Sequence, residues 1–173
     1  MRIYSLLIFL ILILSLSAAA QTLAPDSSYT AKRKAPGVQM ILIDGKYKVW
    51  TQKIGQGKIK LLLLHGGPAN SHEYFENFPQ YLTKEGVEIY FYDQLGSYYS
   101  DQPKDTAIWK ISRFVDEVEQ VRQGLGLDHF FLLGHSWGGL LAQGIRCQVS
   151  CAPTGSDYFE YGLQRTGVQQ IPL

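Results

Sequence analysis

Cysteine is scarce. The two present, Cys147 and Cys151, exclude a disulfide-stapled scaffold and any all-cysteine zinc site. Four residues apart, they have poor disulfide geometry on a helix and are too few to ligate a metal; no cofactor is expected. An excess of one charge is also missing. Lys+Arg number 16 against 15 Asp+Glu, a net +1 with a pI near 7.7, and such a balance steers the chain toward neither nucleic acid nor an acidic surface. No internal repeat or low-complexity stretch occurs. Hydrophobic residues at 46% and charged residues at 18% exclude a disordered chain, and 173 residues allow one ordinary domain. Histidine is absent after position 135: the four are His65, His72, His129 and His135.

The N-terminus reads as a targeting segment. Arg2 precedes an apolar run from Leu6 to Leu14, and Ser17-Ala18-Ala19-Ala20 ends it with small residues. This is the pattern of a signal peptide over residues 1–20, cut before Gln21. It predicts a secreted or periplasmic protein with no membrane contact after cleavage. The alternative is an uncleaved anchor, since Ile3 to Ala20 approaches the length of a bilayer span. Residues 21–37, with Pro25, Pro36 and Lys32-Arg33-Lys34, read as a leader or linker.

From Val38 the hydrophobic period alternates between strand and helix. Val38–Asp44 and Tyr47–Ile54 flank an Asp-Gly hairpin signal. Ile59–Leu64, Val87–Tyr92 and Phe130–Leu133 are apolar runs suited to strands buried on both faces. Helical spacing predicts one helix from Glu73 to Lys84, ended or kinked by Pro79, and another with Ile111, Phe114, Val115, Val118, Val121 and Leu125 on its inner face. Asp116, Glu117 and Glu119 are expected on its solvated side. A helix resumes through Leu140, Leu141 and Ile145, and the pattern is expected to end after Gln143. Hairpin strands followed by alternating strand and helix indicate an α/β domain with a mostly parallel sheet.

Two strand-to-loop junctions carry the chemistry. Gly134-His135-Ser136-Trp137-Gly138 has the G-x-S-x-G form between a strand and a helix. A serine on so tight a turn stands clear of the sheet, and the two glycines remove side chains that would collide with neighbouring backbone. Ser136 is therefore a candidate nucleophile, with the N–H of Trp137 facing any negative charge that develops. His65-Gly66-Gly67-Pro68 ends an earlier strand and can supply a second main-chain donor. Taken alone, each motif is equally consistent with an ordinary tight turn.

Together, His65-Gly66-Gly67-Pro68-Ala69-Asn70-Ser71-His72, Asp93-Gln94-Leu95-Gly96-Ser97-Tyr98-Tyr99-Ser100 and Gly134-His135-Ser136-Trp137-Gly138-Gly139 resemble the ordered signatures of proline iminopeptidases. These are serine aminopeptidases of the α/β-hydrolase fold. The resemblance runs from about Val38 to Gln143, so the domain reads as residues 38–143 with an atypical tail over 144–173. It implies Ser136 as nucleophile, the N–H groups of Gly67 and Trp137 as oxyanion hole, and a small peptide or amide as substrate. The family commonly has Gly where Ala69 stands, and Arg and Gly where Leu95 and Tyr98 stand. Other α/β-hydrolases, such as an esterase or amidase, are the alternative within the fold.

The resemblance gives neither His72 nor Asp93 a place in the triad. His72 is expected to orient the segment after the first loop and Asp93 to tie down its own loop. His135 is expected to be packed at the turn, and His129 on the surface. The fold places the triad acid and histidine after the nucleophile, where this sequence has no histidine. The chain is accordingly expected to be a non-catalytic N-terminal fragment lacking cap and C-terminal strands, its tail the product of a frameshift or early stop, with Phe130–Leu133 left as an open sheet edge.

Overall fold

The computed structural model describes residues 27–150 and 168–171. The signal segment 1–20 and the Cys151 position lie outside the described residues. Two units are distinguished, one ending at Lys34 and one from Ala35 onward. In the first, Ser27–Arg33 forms a short helix, α1, within the stretch read as a leader or linker. Lys32 and Arg33 occupy its last turn, where positive charge complements the helix dipole.

The second unit begins with β1 (Val38–Ile43) and β2 (Tyr47–Ile54), an antiparallel hairpin. Asp44 and Gly45 adopt φ of 52° and 62°, the two left-handed positions of a type I′ turn, closed by Lys46 N–H to the Ile43 carbonyl at 3.0 Å. The turn is fastened to a later helix: Arg113 pairs with Asp44 at 2.9 Å, and the Asp44 N–H donates to Gln120 Oε1 at 2.7 Å.

β3 (Ile59–Leu64), β4 (Val87–Tyr92) and β5 (Phe130–Gly134) follow. With β6 (Val168–Ile171) they complete a six-stranded sheet of order β1-β2-β4-β3-β5-β6. β3 is parallel to both β4 and β5, while β2 meets β4 antiparallel. Every residue of β4 is buried, as expected of a strand covered on both faces, and its one charged residue, Glu88, pairs with Lys53 at 3.3 Å. β6 pairs antiparallel with β5, Leu133 opposite Val168, so the edge expected to be open at Phe130–Leu133 is occupied.

The expected helix from Glu73 to Lys84 is instead three short pieces: a 3-10 turn (His72–Phe75), α2 (Pro79–Leu82) and a second 3-10 turn (Thr83–Glu85). Pro79 explains the break. Without an N–H it cannot bond backward and its ring would meet the Phe75 carbonyl, so it serves as the start of α2.

α3 (Ile111–Gly124) and α4 (Trp137–Ser150) complete the unit. Phe114, Val115, Val118 and Val121 of α3 and Leu141, Ala142 and Ile145 of α4 pack with Ile41, Ile43, Leu62, Leu64 and Tyr92 of the sheet. α4 continues past Gln143, correcting the expected end of its pattern. Gly144 supports this: a Cβ there would lie 2.4 Å from Val115 Cγ2, so the glycine permits close approach of the two helices.

Glu117 requires the other correction. It is fully buried, not solvated, and accepts hydrogen bonds from the Tyr92 hydroxyl, the Leu95 N–H (2.8 Å) and Arg113. Burial pushes its carboxyl above the usual range, with Arg113 opposing. Asp116 is exposed as expected, and Glu119 pairs with Arg122 at 2.7 Å.

Candidate active site

β3 and β5 are parallel neighbours with Leu64 opposite Gly134, so the loops at their carboxyl ends leave the sheet side by side. The His135 N–H donates to the Leu64 carbonyl at 3.0 Å, carrying the pairing one residue beyond the strand. The chain then turns sharply. Ser136 is exposed and has φ of 52°, a conformation that a residue with a side chain rarely adopts and that here lifts its hydroxyl off the sheet. The flanking glycines are sterically required. A Cβ on Gly134 would lie 2.4 Å from the Gly138 carbonyl oxygen, and one on Gly138 would lie 2.1 Å from that of Leu64. Both obstacles are backbone and cannot rotate away.

Gly66 is buried and Gly67 exposed in the adjoining loop. A Cβ on Gly66 would lie 3.1 Å from His135 Nδ1 and 3.4 Å from Ser136 Cβ, so this loop packs directly on the serine turn. Trp137 opens α4, where the first-turn N–H groups have no partner within the helix. The structure thus brings Ser136, Trp137 and Gly66 together, with Gly67 the next residue of the same loop. Ala69 has φ of 67°, a backbone position suited to glycine.

The histidines are placed differently. His65 is buried, accepts the Gln94 N–H at Nε2 (2.9 Å) and donates from Nδ1 to the Gly66 carbonyl (2.7 Å). Burial holds it below the ordinary value of 6.5, with the Gly66 bond opposing. Both ring nitrogens are committed. His72 is buried too, its Nδ1 2.8 Å from Asp93 Oδ1 and its ring stacked on Trp50 with centroids 4.3 Å apart. The same Asp93 oxygen accepts the His72 main-chain N–H at 2.9 Å. Asp93 therefore fastens the His72 segment as well as its own loop, whose Ser100 hydroxyl donates to the Asp93 carbonyl at 2.5 Å. His129 is exposed as expected. His135 is exposed rather than packed, with its ring edge-on to Tyr74 at 5.1 Å.

Two residues at this site went unassigned in the sequence. The Gln94 side chain donates to the His65 carbonyl at 2.9 Å and accepts from the Trp137 indole at 2.8 Å. Tyr74 accepts the Gly66 N–H on its hydroxyl. Gln94 stood within a quoted signature; nothing in the local pattern marks Tyr74. Among the described residues, no group of three His, Cys, Asp or Glu is placed to hold a metal ion.

Comparison with known proteins agrees with this geometry. Residues 60–143 match the alpha/beta hydrolase fold family. A proline iminopeptidase of Flavobacterium johnsoniae is 60% identical over 101 residues, covering 57% of this chain and 34% of the relative. One from Chitinophaga pinensis is 52% identical over 141 residues, covering 74% and 47% respectively. The crystal structure of the Mycobacterium smegmatis proline iminopeptidase superposes with a TM-score of 0.60 at 30% identity, covering 64% of this chain and 39% of that one. The chain thus spans between about a third and about half the length of the curated relatives it matches. Over the matched stretch it is related to the proline iminopeptidases and has the α/β-hydrolase fold.

Proposed function

We propose that this chain carries the nucleophile-bearing part of a serine hydrolase that releases an N-terminal residue, proline foremost, from short peptides. The observation behind the reading is the left-handed Ser136 at the carboxyl end of β5 with the Gly66-Gly67 loop packed against it. Attack of Ser136 Oγ on the carbonyl after the N-terminal residue would break the C–N bond, release the shortened peptide as amine and leave an acyl-enzyme for water to hydrolyse. The N–H groups of Gly67 and Trp137 would hold the oxyanion. The peptide preference rests on the names of the relatives; an ester substrate would use the same serine.

The general base is not supplied by the described histidines of the fold's interior. His65 and His72 are spent on Gly66, Gln94 and Asp93, and the sequence has no histidine after Ser136. Alone, the chain is expected to release negligible proline from a prolyl amide and to react slowly with a phosphonylating probe, the label mapping to Ser136 and vanishing in Ser136→Ala. Label on another residue would remove Ser136 from the reading. Fast, complete labelling would show that a base is present. We also propose export by residues 1–20. N-terminal sequencing of the exported product should begin at Gln21, and Met1 retained on membrane-bound protein would identify an anchor instead.

A further inference from the structure

The loop that meets Ser136 has two consecutive peptide groups, and their orientation decides which N–H faces a reacting carbonyl. The polar groups of Gly66 are both engaged. Its N–H donates to the Tyr74 hydroxyl and its carbonyl accepts from His65 Nδ1 at 2.7 Å. The Gly66–Gly67 peptide is trans, and in a trans peptide the C=O and the following N–H point in opposite directions. Holding the Gly66 carbonyl therefore aims the Gly67 N–H, which has no acceptor among the described residues. His65 is braced by Gln94, so one end of the clamp belongs to the interior. The other end is Tyr74, a side chain 38% exposed at the mouth of the site. Its ring is set by Phe75, with centroids 4.4 Å apart, and by His135.

We infer that Tyr74 is a positioning residue for the reaction at Ser136: its hydroxyl takes up the Gly66 N–H and, with His65, fixes the Gly67 N–H as the loop's donor to the oxyanion. The inference rests on the reading of Ser136 as nucleophile. Without the hydroxyl, Gly66 is held at one end only. Glycine on both sides imposes little resistance to rotation of the linking peptide, and an oxyanion donor acts only when it is aimed in advance.

The test uses the full chain and Tyr74→Phe, which keeps the ring against Phe75 and His135, with Tyr81→Phe, at a 64% exposed tyrosine, as control. Amide hydrogen exchange at Gly66 should quicken about tenfold in Tyr74→Phe alone. The second readout is reaction in mildly alkaline buffer with a fluorophosphonate and with its thiophosphoryl counterpart. In each, Ser136 Oγ displaces fluoride at phosphorus and its proton passes to solvent. Sulfur is the poorer hydrogen-bond acceptor, so a well-aimed N–H favours the oxygen probe. Tyr74→Phe should lower that preference about tenfold, an effect that a change in stability alone would not give. Unchanged exchange at Gly66 overturns the clamp whatever Ser136 does. Faster exchange with an unchanged preference overturns the positioning role. If wild-type Ser136 takes no label while Gly66 responds, the reading of Ser136 fails, and the positioning role fails with it.

Discussion

The indole N–H of Trp137 donates to the side-chain oxygen of Gln94 at 2.8 Å, and the amide nitrogen of the same Gln94 donates to the His65 carbonyl at 2.9 Å. One side chain from the loop after β4 thereby joins the first residue of α4 to the end of β3. Gln94→Ala should leave a buried carbonyl and an indole N–H without partners, at a cost of about 2–3 kcal/mol. Urea unfolding would measure it. Gln94→Glu should cost more, because a carboxylate oxygen would replace the donor facing His65.

His65 gives the stability a pH dependence of determined sign. Burial depresses its value in the folded chain below 6.5, so on acidification the unfolded chain binds a proton before the folded one does. Stability should therefore fall as pH drops below about 6.5, by up to about 1.4 kcal/mol per pH unit, until the folded form also protonates. Urea midpoints between neutral pH and about pH 5 would show the slope, which His65→Gln should flatten. Asp44 and Glu88, held below their ordinary values of 3.8 and 4.5, keep their contribution until further into acid.

Glu117→Gln should destabilise the chain by about 3 kcal/mol. The substitution weakens the bonds from Tyr92 and the Leu95 N–H and leaves the half-buried Arg113 with Asp44 as its acidic partner. Tyr92→Phe removes one donor and should cost about 1 kcal/mol. Denaturation of both variants, singly and together, would reveal their coupling.

Gly138→Ala and Ala69→Gly should act in opposite directions. The first sets a methyl 2.1 Å from the Leu64 carbonyl oxygen, an overlap expected to cost about 3 kcal/mol or more. The second relieves a left-handed alanine at φ 67° and should stabilise by up to about 1 kcal/mol. Thermal unfolding of the pair would test both signs.

β3, β4 and β5 were legible in the sequence because they are largely apolar runs, and the β1–β2 hairpin because Asp-Gly suits a type I′ turn, whereas β6 at the far edge was not. The serine turn was legible for a related reason: only glycine fits at 134 and 138, so the steric demand is written in the residues. Glu117 was misread as solvated because it is charged, although it falls three residues after Phe114 and four before Val121, on the stripe that faces the core. Arg113 is four residues before it on the same helix, but its other partners, Tyr92 and Leu95, lie on β4 and in the loop after it, and no local pattern announces those. Pro79 was recognised as a disruption, but the sequence did not say that it would start a new turn. Tyr74 was invisible for a simpler reason, since an exposed aromatic beside a glycine loop has no period to betray its contact.

The hairpin turn at Asp44 and Gly45 bears on how the molecule opens. β1 is the outermost strand on its side of the sheet, and a terminal hairpin ordinarily frays by itself, exposing its loop to cleavage. Here Arg113 and Gln120 tie the loop to α3, whose Phe114 and Val118 lie in the core. The hairpin can separate from the domain only by breaking those bonds or by drawing α3 away with it. The outermost strand therefore shares the cooperative unfolding of the core helix, and a protease reaching this accessible loop meets a segment that seldom yields the extended conformation it needs.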